Sequence, residues 1–276
     1  MSLKIDQNNN SLLYQSTLEA YPPELIQHIF SYLEDSELGK CRQVCKQWQA
    51  LGSDEAFLKK RYSEPEEAFG KKKWETYIGK IEEVPHLPRE IKKILESPCP
   101  IWGKEGKKIK DTHILFYNPQ QVNGQSHTVN NIEKLVKSSK EGNATVYRYI
   151  FCMIANEYGD TPNEKGEWIL MTKDVLPGSR NKTYDKQQSL VKDLSKKAQV
   201  EYLVPKLTEA ITGIFAEFVR SGTCLYSNNP WTYTRCQEQI VGNPLVVGGF
   251  APGGLFICSL SRFGSGNCGV GALRKF

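Results

Sequence analysis

The chain has 276 residues, with 36 Lys plus Arg against 31 Asp plus Glu and a formal net charge of +5. At roughly 150 residues per domain this length predicts about two domains, and a composition of 39% hydrophobic and 11% aromatic residues excludes a disordered chain. The basic excess is mild and its runs are short ("KKKW" from Lys71, "KEGKKIK" from Lys104, "LRKF" at the end), which argues for solvated faces and against a nucleic-acid track.

No apolar run approaches the ~18 residues of a membrane helix, so no membrane span is expected. The start, "MSLKIDQNNNSLLYQ", lacks a compact apolar stretch with a small-residue cleavage site, so no cleaved Sec-type signal is expected. The cysteines at 41, 45, 99, 152, 224, 236, 258 and 268 form no Cys-x-x-Cys pair. They read as free thiols in a reducing, cytoplasmic compartment.

Taken in chain order, residues 1–17 are polar and read as a disordered tail. "YPPELIQHIFSYLEDSELGKCRQVCKQW" follows, from Tyr21 to Trp48. At 100° per residue, Leu25, Ile26, Ile29, Phe30, Tyr32 and Leu33 share one helical face about 160° wide, with Glu24, Gln27, His28 and Ser31 opposite. Pro22 and Pro23 suit the start of that helix. Asp35 and Ser36 are candidate N-caps of a second helix carrying Leu38, Cys41, Val44 and Cys45. Trp48 and Leu51 lie on a third, and Asp54 is placed to cap a last turn carrying Phe57, Leu58 and Tyr62. Three short helices in about forty residues bury a poor core unless something covers them, and the apolar face is wider than they need. The cover is either the rest of the chain or a partner protein.

Residues 63–100 read as a helical connector, with a boundary at the proline cluster Pro85, Pro88, Pro98 and Pro100. Within it, "HLPREIKKIL" from His86 is an amphipathic helix ending at that boundary. From Ile101 the texture changes. "THILFY" and "EWILMT" read as strands, and "ATVYRYIFCMIA" as strand or helix. A long helix is expected from about Pro205 to Val219, with Gly222 at its end. "DVLPGSRNKTYDKQQ" reads as a loop. "NPLVVGGFAPGGLFICSLSRFGSGNCGVGALRKF" alternates apolar runs with glycine turns, which fits strands joined by tight turns. Residues 101–276 therefore form an α+β domain with an antiparallel sheet.

The order Pro-x-Glu-Leu, Ile-Phe-x-Tyr-Leu, Asp, Leu, Cys and Val-Cys-Lys-x-Trp over residues 18–62 resembles the F-box family. That resemblance implies a three-helix module that docks on the Skp adaptor of an SCF-type cullin-RING ubiquitin ligase, while the rest of the chain holds a protein substrate. The adaptor-binding residues it implies are Pro22, Pro23, Leu25, Ile26, Ile29, Phe30, Leu33, Leu38, Val44 and Trp48. The chain departs from the family's usual pattern at Tyr21 (leucine), Cys45 (serine) and Leu58 (tryptophan). The blocks "PCPIWGK", "WILMTKDVLPGSRNKTYDKQ", "PWTYTRCQE", "VVGGFAPGGL" and "GVGALRKF" resemble a domain that follows F-boxes in amoeba-associated chlamydiae. This implies a bacterial effector in the host cytosol, secreted without a cleaved Sec signal.

Candidate target-binding residues are Arg180 and Lys182 in the polar loop and Trp231, Tyr233 and Arg235 in "NPWTYTRCQE", residue types enriched at protein interfaces. The alternative is a cysteine-dependent enzyme using Cys99, Cys152, Cys224 or Cys236 with His86, His113 or His127 as base. No local signature joins them, and cysteines in apolar runs are more often packing residues. No catalytic residue, cofactor or metal site is expected, because no Cys/His ligand spacing occurs outside Cys41 and Cys45. "VGGFAPGGL" lacks the lysine of a phosphate loop.

Overall fold

The computed structural model describes residues 21–33 and 35–276. The expected tail at 1–17 and residues 18–20 of the expected docking module lie outside the described residues. The chain divides into two compact units, Met1–Ser63 and Glu64–Phe276.

In the N-terminal unit, α1 spans Pro23–Phe30, α2 Asp35–Cys41, α3 Lys46–Gly52 and α4 Glu55–Arg61. Where three helices and a turn were expected, the turn is thus a full fourth helix. Asp54 caps it, accepting from the Phe57 N–H at 2.7 Å. Cys45 caps α3 weakly, its sulfur 3.5 Å from the Trp48 nitrogen, a poorer acceptor than a serine hydroxyl. Asp35, expected at the cap, lies one position inside. It is the first helical residue, and its carboxylate accepts from Arg61 and Tyr62 at 2.8 and 2.6 Å. Ile26, Phe30, Leu38 and Phe57 form the core, with Leu33, Trp48, Leu51 and Leu58 packed against it.

The C-terminal unit begins with the segment expected to be a connector, which instead supplies part of its core. α5 (Lys71–Tyr77) and α6 (Ile91–Glu96) contribute Trp74, Ile91 and Leu95, and Phe69 and Ile78 lie in the same cluster. The proline cluster marks loops inside this unit, and the boundary falls at 63/64.

After α7 (Ile109–Thr112), β1 (His113–Asn118) is followed by a hairpin of β2 (Gln121–Val122) and β3 (Gln125–Ser126). Asn123 and Gly124 turn it at φ 52° and 76°, the left-handed pair of a type I′ hairpin turn. Then come α8 (Val129–Lys137), β4 (Tyr147–Ile150), α9 (Cys152–Tyr158), β5 (Glu167–Thr172), α10 (Tyr184–Ala198) and α11 (Leu207–Ser221). The chain ends with β6 (Tyr233–Ile240), β7 (Asn243–Ala251), β8 (Gly254–Ser259), β9 (Cys268–Gly269) and β10 (Leu273–Lys275). "ATVYRYIFCMIA" is both of its readings, strand β4 running into helix α9.

Two sheets carry the unit. One is antiparallel, in the order β1-β5-β10. The other runs β4-β8-β7-β6-β9. It is an antiparallel β6-β7-β8 meander with β4 and β9 added parallel at its edges. α11 packs on β1 and β5 of the first and on β6 and β7 of the second, which is why it is buried almost all round. It starts two residues after Pro205 and stops at Gly222, whose φ of 73° and N–H to Phe218 O at 2.7 Å end the helix as expected. Its buried N-terminus is met by carboxylates. Glu209 accepts from the Lys206 N–H at 2.7 Å, and Glu238 accepts from the Leu207 N–H at 2.9 and 3.0 Å, with a favourable dipole.

The loop expected over residues 174–188 ends at Thr183, where α10 begins. Its inward positions Tyr184, Gln187, Val191 and Leu194 keep helical spacing. One of them is a glutamine, donating to Ser179 O at 2.8 Å, so the apolar pattern is broken where the structure is not.

Candidate docking face

The apolar arc of α1 divides in two. Ile26 and Phe30 point inward, Phe30 lying edge-on to Trp48 with ring centroids 5.4 Å apart. Leu25 (41% exposed), Ile29 (51%) and Tyr32 (66%) point outward, with Val44 (54%) exposed beyond α2. Residues 25, 29 and 32 follow i, i+4, i+7 spacing, so they form one ridge along the helix. Pro22 and Pro23 at its start are also exposed. Grouped exposed apolar side chains of this kind make the ridge the candidate docking face.

The residues expected on this surface therefore separate by position. Pro22, Pro23, Leu25, Ile29 and Val44 are on it. Ile26, Phe30 and Leu38 are core side chains with almost no area left for a partner, and Leu33 and Trp48 are half-buried against that core. The periodicity cannot make this division, because the inward and outward halves of a wide arc look alike in sequence.

Two arginines that the sequence does not single out close helix ends in this unit. Arg61 donates from Nη1 to Phe30 O at 2.7 Å and from Nη2 to Leu33 O at 2.6 Å, closing the end of α1. Arg42 Nε donates to Gly52 O at 2.8 Å and closes the end of α3. Both add donors to carbonyls at helix ends, where intrahelical partners run out; Phe30 O also takes the Leu33 N–H at 3.2 Å.

In the C-terminal unit, Arg180 reaches Trp231, donating from Nη1 to Trp231 O at 3.2 Å and Gly266 O at 3.1 Å and from Nη2 to Thr232 Oγ1 at 2.7 Å. Lys182, half-buried, follows Asn181, whose N–H bonds Ser265 O at 3.0 Å. Trp231 is exposed and stacks on half-buried Tyr233. Arg235 is not a surface residue. It is fully buried and donates to Leu260, Ser261 and Phe263 carbonyls.

Among the candidate enzyme residues Cys152 is exposed, while the two buried histidines have other partners. His127 Nε2 lies 2.9 Å from Thr212 Oγ1, and His113 Nδ1 lies 2.9 Å from Thr112 Oγ1. Burial holds both rings neutral, His127 pushed down to about 3 and His113, with Lys173 adding, to about 4. Cys99 and Cys236 are buried, and burial pushes the Cys224 and Cys236 thiols up, away from thiolate chemistry. Among the described residues, no group of three or more His, Cys, Asp or Glu is placed to hold a metal ion. No helix there is long and apolar enough to cross a membrane.

Residues 19–64 match the family model described as F-box-like. No curated protein and no solved structure matches the chain. The match covers the N-terminal helices and supports an F-box protein, and such a domain suggests an adaptor that binds Skp in SCF ligases.

Proposed function

We propose that the N-terminal unit docks on the Skp adaptor of an SCF-type cullin-RING ubiquitin ligase through the ridge Leu25–Ile29–Tyr32, with Pro22, Pro23 and Val44 beside it. The C-terminal unit recruits the protein target. The observation that carries this reading is the exposed apolar ridge inside the F-box-like match. The resemblance of the C-terminal blocks to a chlamydial domain adds the setting, a bacterial effector using the ligase of its host cell. The cysteine-dependent alternative draws no support from thiols pushed up by burial.

Calorimetry with the purified Skp adaptor tests the docking. Leu25→Asp and Ile29→Asp put charges on exposed positions, so the fold tolerates them, while the bound state must desolvate them. We expect the pair to weaken binding at least 100-fold, about 3 kcal/mol. Absence of wild-type binding at tens of micromolar, or equal binding by the folded double variant, would falsify the reading.

A further inference from the structure

The outer face of the five-stranded sheet is closed in one half and open in the other. The closed half lies under residues 260–263, whose carbonyls Arg235 holds from beneath. In the open half, Tyr149 of β4, Phe256 of β8, Gly248 of β7 and Tyr233 of β6 are successive register partners. They make a row about 14 Å long at ~4.8 Å per strand.

The rings in this row touch. Tyr149 stacks on Phe256 at 4.6 Å and 21°, Phe256 meets Tyr233 edge-on at 6.4 Å, and Tyr233 stacks on Trp231 at 5.9 Å and 20°. Gly248 leaves the gap across which Phe256 and Tyr233 meet. A Cβ on Gly249 would lie 2.7 Å from Trp231 Cζ3 and 2.8 Å from the Tyr233 hydroxyl, so that glycine lets both rings lie against the backbone. The end of the row is preset, because the Arg180 fork fixes the Trp231 segment. Tyr149 (43%) and Trp231 (40%) remain exposed. Rigid aromatic rings with open faces lose little entropy on binding.

The charge beside the row selects the occupant. Arg148 is exposed at the register shift of β4 between Tyr147 and Tyr149, its Cδ 3.9 Å from where a Cβ on Gly253, in the β7–β8 turn, would stand. Burial pushes Tyr233 up to about 12, with Cys258 adding and Arg148 opposing, so the guanidinium's field reaches the middle of the row. Arg180 and Arg235 already donate to protein oxygens. A single strand of nucleic acid needs several phosphates neutralised along its path, whereas one available guanidinium matches one carboxylate.

We propose that this aromatic row binds an extended segment of a target protein, about five residues at ~3.3 Å each, with apolar or prolyl side chains on the rings and an Asp or Glu at Arg148. This deepens the target-recruiting half of the function proposed above and rests on it.

The full chain is panned against a random hexapeptide phage library, and enriched peptides are synthesised and measured by fluorescence anisotropy. Enrichment of Asp or Glu beside Pro and aliphatic residues is expected. Trp231→Ala and Tyr149→Ala, both exposed positions, should each weaken the peptides tenfold or more. Arg148→Glu should switch the selected charge to Lys or Arg. No enriched sequence, peptides indifferent to Trp231→Ala and Tyr149→Ala, or an unchanged charge preference in Arg148→Glu would overturn the proposal. So would labelled dT15 binding more tightly than the peptides through the same residues. The same variants should bind the Skp adaptor as wild type does. If the wild type selects these peptides but ignores the adaptor, the ligase reading fails and this surface stands.

Discussion

Arg61 shows how one side chain governs a surface it does not belong to. Its side chain is only 2% exposed, and its fork spans the carbonyls of Phe30 and Leu33 and the Asp35 carboxylate. Without it, the end of α1 loses three charge-assisted bonds, and Phe30 O keeps the weaker Leu33 N–H at 3.2 Å, at about 1–3 kcal/mol for a hydrogen bond to a charged group. We expect Arg61→Ala to destabilise the helices by about 2–3 kcal/mol. Native-state hydrogen exchange of the α1 amides should accelerate at least ~30-fold. Arg61→Lys should recover less than half of this, because one ammonium nitrogen cannot span the positions that Nη1 and Nη2 occupy. Equal exchange in wild type and Arg61→Ala would show that the turn is held by packing alone. This role is illegible in the sequence. Apolar periodicity marks core faces, and nothing in "FLKKRY" says that its arginine turns inward to carbonyls 28 and 31 residues away. The candidate ridge is legible in part: proline, leucine and isoleucine at fixed offsets mark the apolar arc, but not that Leu25 and Ile29 stay exposed while Ile26 and Phe30 turn inward.

Among the elements, strands and capped helices are written plainly, and helices that trade apolar contacts for polar ones are not. β1 and β5 stand out as short β-prone runs because both of their faces are buried. α11 stands out through its apolar spacing and Gly222. α10 hides because Gln187 fills an inward position by hydrogen bonding, and α8 hides among polar residues. Close approach is equally invisible, and it decides the sign of a helix glycine. On α11, a Cβ at Gly213 would lie 2.7 Å from Met171 Cε and 2.8 Å from Phe116 Cε1, where the helix presses on β1 and β5. On α2, a Cβ at Gly39 meets nothing within 4 Å. Alanine is the better helix former by about 1 kcal/mol. Gly39→Ala should therefore stabilise by about 0.5–1 kcal/mol, whereas Gly213→Ala should destabilise by about 1–3 kcal/mol through overpacking. Denaturant midpoints of the two variants should move in opposite directions. A shift of the same sign in both would mean that β1 and β5 yield more than a packed interior should.

For the whole molecule, each unit has its own core, and the proline cluster that suggested a boundary is a set of loops inside the larger one. A boundary is where contacts stop, which composition does not record. Acid should act on the larger unit through His113 and His127. The Thr212 hydroxyl gives its proton to Thr208 O at 2.7 Å. His127 must therefore donate to it from Nε2, which leaves a bare Nδ1 with no partner. The Thr112 hydroxyl likewise donates to its own helix, leaving His113 Nε2 bare. A second proton on either ring would be buried and unpaired. With folded values near 3 and 4 against an ordinary 6.5, the unfolded chain binds the protons first. Stability is thus fully present above pH 6.5 and lost as pH falls toward 4 and 3, at about 1.4 kcal/mol per pH unit for each ring. Glu238, held above the usual carboxylate range by burial, works in the opposite sense, but closer to the carboxylate range. Urea unfolding of the larger unit at pH 6.5 and 5 should therefore show a loss of about 3 kcal/mol from the two rings together. His127→Gln can keep the donor to Thr212 while removing one titration, so it should roughly halve the slope whatever its stability at neutral pH. A slope unchanged by that substitution would mean that the ring takes up its proton in the fold, and that the core around Trp74 and Thr212 opens to receive water.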